Sequence, residues 1–248
     1  MIRIIAGREL RSLFLSPLAW SVLAVVQVIM AYIFLVRMEL FFQLQPRLAG
    51  TSIGVTDIVV TYLYDNAAVV LMLIVPLLTM RLVSEERRSR TLTLLFSAPV
   101  SMTEIILGKY LGIMVFLLAM MGLMSLMPLS LLIWGNLDLG KFAACLLGLT
   151  LLLASFASLG LFISTLTVQP TIAAVGTFGA LLLLWVLDWK GDSGGGTGSV
   201  LAYLSLLHHY VSLLQGMFSS RDVIYYLLFS VTFIVLSIQR LDGQRLQH

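Results

Sequence analysis

The densest cluster of side chains able to do chemistry in this chain stands in one block. Arg81, Glu85, Glu86, Arg87, Arg88 and Arg90 fall between Met80 and Val100, with long apolar stretches on both sides. Outside it, the candidates are Asp65 and Asn66, the histidines His208, His209 and His248, and the single cysteine Cys145. Adjacent histidines project to different sides of a helix, and no carboxylate cluster or second cysteine stands near them, so no metal site is expected. His208 and His209 read as interfacial residues or as a pH-sensitive contact at a membrane surface. The run Gly135 to Lys141 fits the first seven places of a phosphate-cradling loop, but Phe142 stands where Ser or Thr must hold magnesium and no strand precedes it. Neither a nucleophile elbow nor a zinc-protease helix is present, so no catalytic residue is expected and the chain does not read as an enzyme. A lone cysteine excludes an internal disulfide.

The block itself has helix grammar. Ser84 is the expected N-cap, Glu85 and Glu86 suit a positive first turn, and Leu92, Leu94, Leu95 and Phe96 supply an apolar side before Pro99. A short amphipathic helix is therefore expected over 84–97. Ser101 to Glu104 then spells a capping box that opens the next helix. Such a segment reads as a docking surface for a water-soluble partner; the alternative is a charged anchor that only fixes topology.

The elements that must position this block are membrane spans. The 248 residues are 60% hydrophobic and 11% charged, with mean hydropathy +1.03, against about 25% charged residues in soluble domains. The fold class expected is all-α, one polytopic transmembrane domain over 1–248, with no room for a soluble domain and no nucleic-acid partner. Residues 2–16 gather Arg3, Arg8 and Arg11 on one half of a helical wheel and Ile2, Ile5, Ala6, Leu10 and Leu13 on the other, with Ile4, Glu9 and Leu15 out of pattern. They read as a helix lying on lipid, not as a cleavable signal peptide. Charge-poor runs place spans at about 18–36, 58–80, 105–134, 142–167, 171–187 and 222–238. Arg37 to Asp57 reads as a polar loop, Pro76 as a kink in span two, and Gly108-x-x-x-Gly112 as a weak packing signal in span three. Residues 188–221 read as an outer loop whose second half is amphipathic and lies on or dips into the outer leaflet. Asp65 and Asn66 form a possible polar site in span two, near its outer boundary.

Six spans put both termini on one side. Ten Lys and Arg flank that side (3, 8, 11, 81, 87, 88, 90, 109, 240, 245) and five flank the other (37, 47, 141, 190, 221). The positive-inside rule then makes both termini and the block cytoplasmic. A five-span reading would move the C-terminus outside.

The arrangement resembles the permease subunits of ABC-2 type ABC transporters, and looks most like the gliding-motility-associated branch. The resemblance rests on Glu9 to Ser12, Leu15 to Ala19, Pro76 to Arg81, Glu85 to Ser89, Ser97 to Ser101, Leu107 to Tyr110, Gly160 to Thr167, Tyr203 to Ser205, His209 and Arg221 to Tyr226. Arg90 departs from it, since the branch tends to have glycine there. The resemblance implies a half-transporter of the bacterial cytoplasmic (inner) membrane, an exporter, pairing with a second permease chain as homodimer or heterodimer. A separate cytoplasmic ABC ATPase would bind ATP and magnesium; this chain needs no cofactor. The stretch 84–97 would be the coupling helix, with Glu85, Glu86, Arg87 and Arg88 making polar contacts to the ATPase and Leu92, Leu94 and Leu95 packing on it. An uncharged path would suit a lipid-like or amphipathic substrate. The alternatives are an ATPase-bound membrane scaffold or assembly factor that moves nothing, and an intramembrane enzyme, for which facing polar residues are scarce.

Overall fold

The structure, a computed structural model, describes residues 1–48, 54–89, 101–133, 137–191 and 205–245. Every regular element in those residues is helical, as an all-α polytopic chain requires. The helices are α1 (Ile2–Leu15), α2 (Pro17–Leu48), α3 (Thr61–Thr79), α4 (Ser84–Arg88), α5 (Met102–Ser130), α6 (Leu139–Leu166), α7 (Pro170–Gly191), α8 (Leu206–Leu214) and α9 (Ser220–Arg245). A π-helical turn, Thr56–Val60, leads into α3.

Local signals account for most boundaries. Pro17 opens α2 and Pro170 opens α7 at the position where a missing N–H costs nothing. The capping box forms: Ser101 Oγ accepts the Glu104 amide at 3.2 Å, and the Ser101 amide donates to Glu104 Oε2 at 3.3 Å. In the run that mimics a phosphate loop, Asp138 caps α6 by accepting the amides of Gly140 and Lys141 at 2.9 and 3.2 Å.

One expectation needs correction. Residues 37–48 are not a loop: α2 continues through them to Leu48. Glu, Gln, Leu and Met are good helix formers, and Gln43 bonds Glu39 one turn back at 3.3 Å. The fall in hydropathy after Val36 therefore marks where the helix leaves lipid, not where it ends. Among the described residues, five helices are long and apolar enough to cross a membrane, namely α2, α3 with its flanking turns, α5, α6 and α9. The stretch expected as span five supplies 17 apolar residues, Pro170–Val186, at the lower limit of about 17–25 that a spanning helix uses. Pro76 lies within the continuous helix α3.

At the centre stands α6, which packs against α3, α5, α7, α8 and α9. Polar groups inside the bundle find partners, as an environment without water demands. Tyr64 and Ser125 hydroxyls lie 3.0 Å apart, Tyr210 Oη donates to the Tyr64 carbonyl at 2.8 Å, and the Ser155 and Ser230 hydroxyls lie 3.3 Å apart.

The amphipathic outer segment turns its apolar face onto protein. Leu206, Tyr210 and Leu213 of α8 are buried where α8 packs on α6 and α3. At Gly148 of α6 an added Cβ would come within 3.0 Å of Leu213. His209 Nδ1 lies 2.7 Å from Asp222 Oδ1, and its ring stacks on Tyr225 at 4.3 Å. This end is also tied by Lys141 to Asp57 and by the Asp138 amide donating to Thr56 Oγ1 at 3.0 Å.

Candidate functional site

At the opposite end the chain builds a joint from α1, α4, α5 and the ends of α3, α6 and α9. Its foundation is the Gly108-x-x-x-Gly112 pair on α5. A Cβ at Gly108 would lie 2.7 Å from Ile5 Cβ and one at Gly112 2.8 Å from Glu9 Cβ, with the Ala6 carbonyl at 3.2 Å. Glycine lets α1 lie directly on α5, so part of the apolar face of α1 meets protein. Substituting alanine at Gly112 is expected to destabilise the protein by about 1–3 kcal/mol through overpacking. Nothing lies within 4 Å of a Cβ at Gly122 on the same helix, so Gly122→Ala is expected to stabilise by up to about 1 kcal/mol. Thermal unfolding of the two variants, with protease cleavage within α1, checks both signs.

Seating α1 there buries Lys109, whose side chain is 1% exposed. Its Nζ donates to Glu9 Oε1 of α1 at 2.9 Å and to Glu86 Oε1 of α4 at 2.7 Å. Arg8 reaches the same two oxygens at 3.2 and 3.1 Å from the exposed side. Two cations and two carboxylates balance, the condition for holding charge away from water. Glu9, out of pattern on the sequence wheel, faces inward because its partner is there.

The start of α4 is held from α6. Ser164 Oγ accepts the amides of Val83 and Ser84, each at 3.1 Å, and donates to the Met80 carbonyl at 3.1 Å. Ser84 is thus not the N-cap expected of it. It is the first helical residue, its hydroxyl donates back to the Met80 carbonyl, and Ser164 satisfies the turn in its place. Arg87 Nη2 donates to Gln244 Oε1, tying α4 to the end of α9.

The expected docking residues therefore separate. Glu86 and Arg87 are engaged with α1, α5 and α9. Glu85 is exposed and lies 3.9 Å from Arg81 one turn before it, and Arg88 is exposed. Leu92, Leu94 and Leu95 lie outside the described residues, as does the rest of the expected helix beyond Ser89. Arg3, Arg8 and Arg11 are exposed along α1. Cavities of about 450 and 410 Å³ flank α4, one against α1 and one against Pro170 and Thr171 of α7, so this short helix stands out from the bundle. Among the described residues no three His, Cys, Asp or Glu side chains gather as a metal site.

The sequence pattern of the ABC-2 family transporter proteins matches residues 42–187, more than half of the chain. The chain belongs to that family. It is a permease of the ABC transporter kind, a multi-pass membrane protein. Among curated proteins nothing matches it. The matched region of the permease runs from the far part of α2 to α7, so it holds α4, Lys109 and Ser164 but not α1. The sequence reading missed Lys109 and Glu9 as joint residues. The signal available was a lysine set inside a small-residue packing motif, with an unmatched glutamate on the helix that motif could seat.

Proposed function

We propose that this permease is the membrane half of an exporter in the bacterial inner membrane, with both termini and α4 in the cytoplasm, driven by a separate ATPase that grips the 84–97 stretch. The observation that supports it is the bridge from Glu86 through Lys109 to Glu9. A knob meant only to fix topology would need charge, not a buried connection to two further helices. Glu85 and Arg88, the exposed charges of α4, are the polar docking contacts, and Leu92, Leu94 and Leu95 are the apolar ones. Glu86 and Arg87 hand the motion on to α1, α5 and α9. ATP and magnesium belong to the ATPase, whose closure would move α4 and change the angle of α3 against α5. A second copy of the permease completes the path, and its apolar walls suit a lipid-like or amphipathic cargo.

Co-purification with a candidate ABC ATPase tests the docking. Glu85→Arg with Arg88→Glu is expected to lower recovery of the ATPase roughly tenfold, the effect of about 1.4 kcal/mol, with unfolding temperature unchanged. Equal recovery would defeat the docking proposal. Vesicle transport assays test the cargo: movement of hydrophilic solutes alone would defeat the amphipath reading.

A further inference from the structure

Opposite charges lie on the exposed side of α2 and α3 at the end away from the joint. Asp65 stands eight residues beyond Asp57 and sixteen before Arg81, about 12 Å and 24 Å along the axis. The Asp57 to Lys141 pair marks the polar layer at that end, and Asp65 lies near the outer boundary of the apolar band, beside Arg37 where α2 leaves lipid. It is half-buried, and among the described residues no ion pair or hydrogen bond holds its carboxylate. The charge acting on it is Arg37 of α2, whose guanidinium carbon lies 4.2 Å from the Tyr62 ring centre. Tyr62, Asp65 and Asn66 share one face of α3 by their spacing. Tyr62 is 46% exposed, and Asn66 Nδ2 bonds the Tyr62 carbonyl at 2.7 Å.

A stripe that carries both an exposed-side cation and a half-buried carboxylate is complementary to a second copy of itself. The helix beside it is also the least covered spanning helix: 17% of the apolar window of α2 is buried, against 67% for α3. Tyr32 and Val36 on the same helix are exposed. A two-fold axis brings the same patch of each copy together, so a residue pair across it occurs twice. We propose that this stripe is the face on which a second copy of the permease docks, closed by Arg37 of each copy pairing with Asp65 of the other. The inference rests on the two-copy reading above and assigns its interface.

The test uses full-length chains bearing two different tags, co-expressed and captured through one tag. Wild-type chains are expected to bring each other down. Arg37→Asp in both copies, or Asp65→Arg in both, sets like charges against each other and is expected to lower recovery at least about tenfold. The milder Arg37→Gln and Asp65→Asn are expected to lower it by a smaller factor, and they test the stripe should a charge reversal fail to fold. Pairing an Arg37→Asp chain with an Asp65→Arg chain restores attraction at both contacts and is expected to return recovery to near wild type. Within a single chain those same variants would leave Asp facing Asp or Arg facing Arg, so rescue by mixing is unique to pairing between copies. A mixed pair no better than either variant alone, or variants that associate like wild type, overturns the inference. Wild-type chains that do not associate overturn the two-copy reading itself.

Discussion

Lys109→Met is expected to destabilise the permease by about 3–5 kcal/mol, the cost of removing one partner from a buried charge cluster. Methionine keeps the length of the lysine stem but leaves Glu9 and Glu86, only 14% and 18% exposed, converging on an apolar end. Arg8 remains, but its side chain is 58% exposed and attracts them from the water side. The unfolding midpoint can be read from thiol labelling, because Cys145 is the single cysteine and is buried. Lys109→Met with Glu9→Gln and Glu86→Gln removes every charge that Lys109 contacts, and is expected to recover most of the lost stability, since buried ion clusters replaced as a unit are often neutral. The triple variant separates two roles for the cluster. If it serves only to hold α1 and α4 in place, ATPase-driven transport returns with stability. If motion passes through Glu86 and Lys109, as proposed, the triple variant folds but transports at a fraction of the wild-type rate.

The charged block was legible in the sequence because its neighbours are so apolar that its own position needed no partner to define it. The capping box and Pro17 were legible for a similar reason: each is satisfied within one turn. What escaped were features settled by distant residues. Ser84 carries an N-cap signature, but the helix begins at Ser84 itself, where Ser164, 80 positions away, accepts the Val83 and Ser84 amides. Glu9 looked like a flaw in an amphipathic wheel because its partner Lys109 is 100 positions away. The wheel of α8 showed one apolar face without showing that α6 and α3 cover it. In α2 the change of composition at Arg37 was real, but composition reports the solvent and not the hydrogen-bonding of the backbone, so the helix outlasted the span. The family pattern covers 42–187 and leaves α1 to be read from packing alone.

Gly160→Ala tests the contact that sets how α3 delivers α4. An alanine Cβ at Gly160 would lie 2.7 Å from Thr79 Cβ, closer than such atoms approach. Thr79 Cβ is fixed to the α3 backbone, and its hydroxyl is bonded to the Val75 carbonyl at 2.9 Å, so no rotamer relieves the clash and α3 must move off α6. The expected cost is about 1–3 kcal/mol. Ser164 stands one turn beyond Gly160 on the same face of α6, and it holds Val83 and Ser84. Separating the helices at 160 therefore stretches the bonds that anchor α4, and amide exchange at Val83 and Ser84 is expected to rise in the variant well before exchange in the far half of α3. Thr79→Gly with Gly160→Ala moves the Cβ from one helix to the other. The pair is expected to cost less than the sum of the single changes by more than about 0.5 kcal/mol, the mark of residues in contact. Additive costs, or exchange rising evenly along α3, would mean that α6 does not set the seat of α4. The thrust of an ATPase on α4 would then pass to α1 and α5 through the contacts of Glu86 with Arg8 and Lys109.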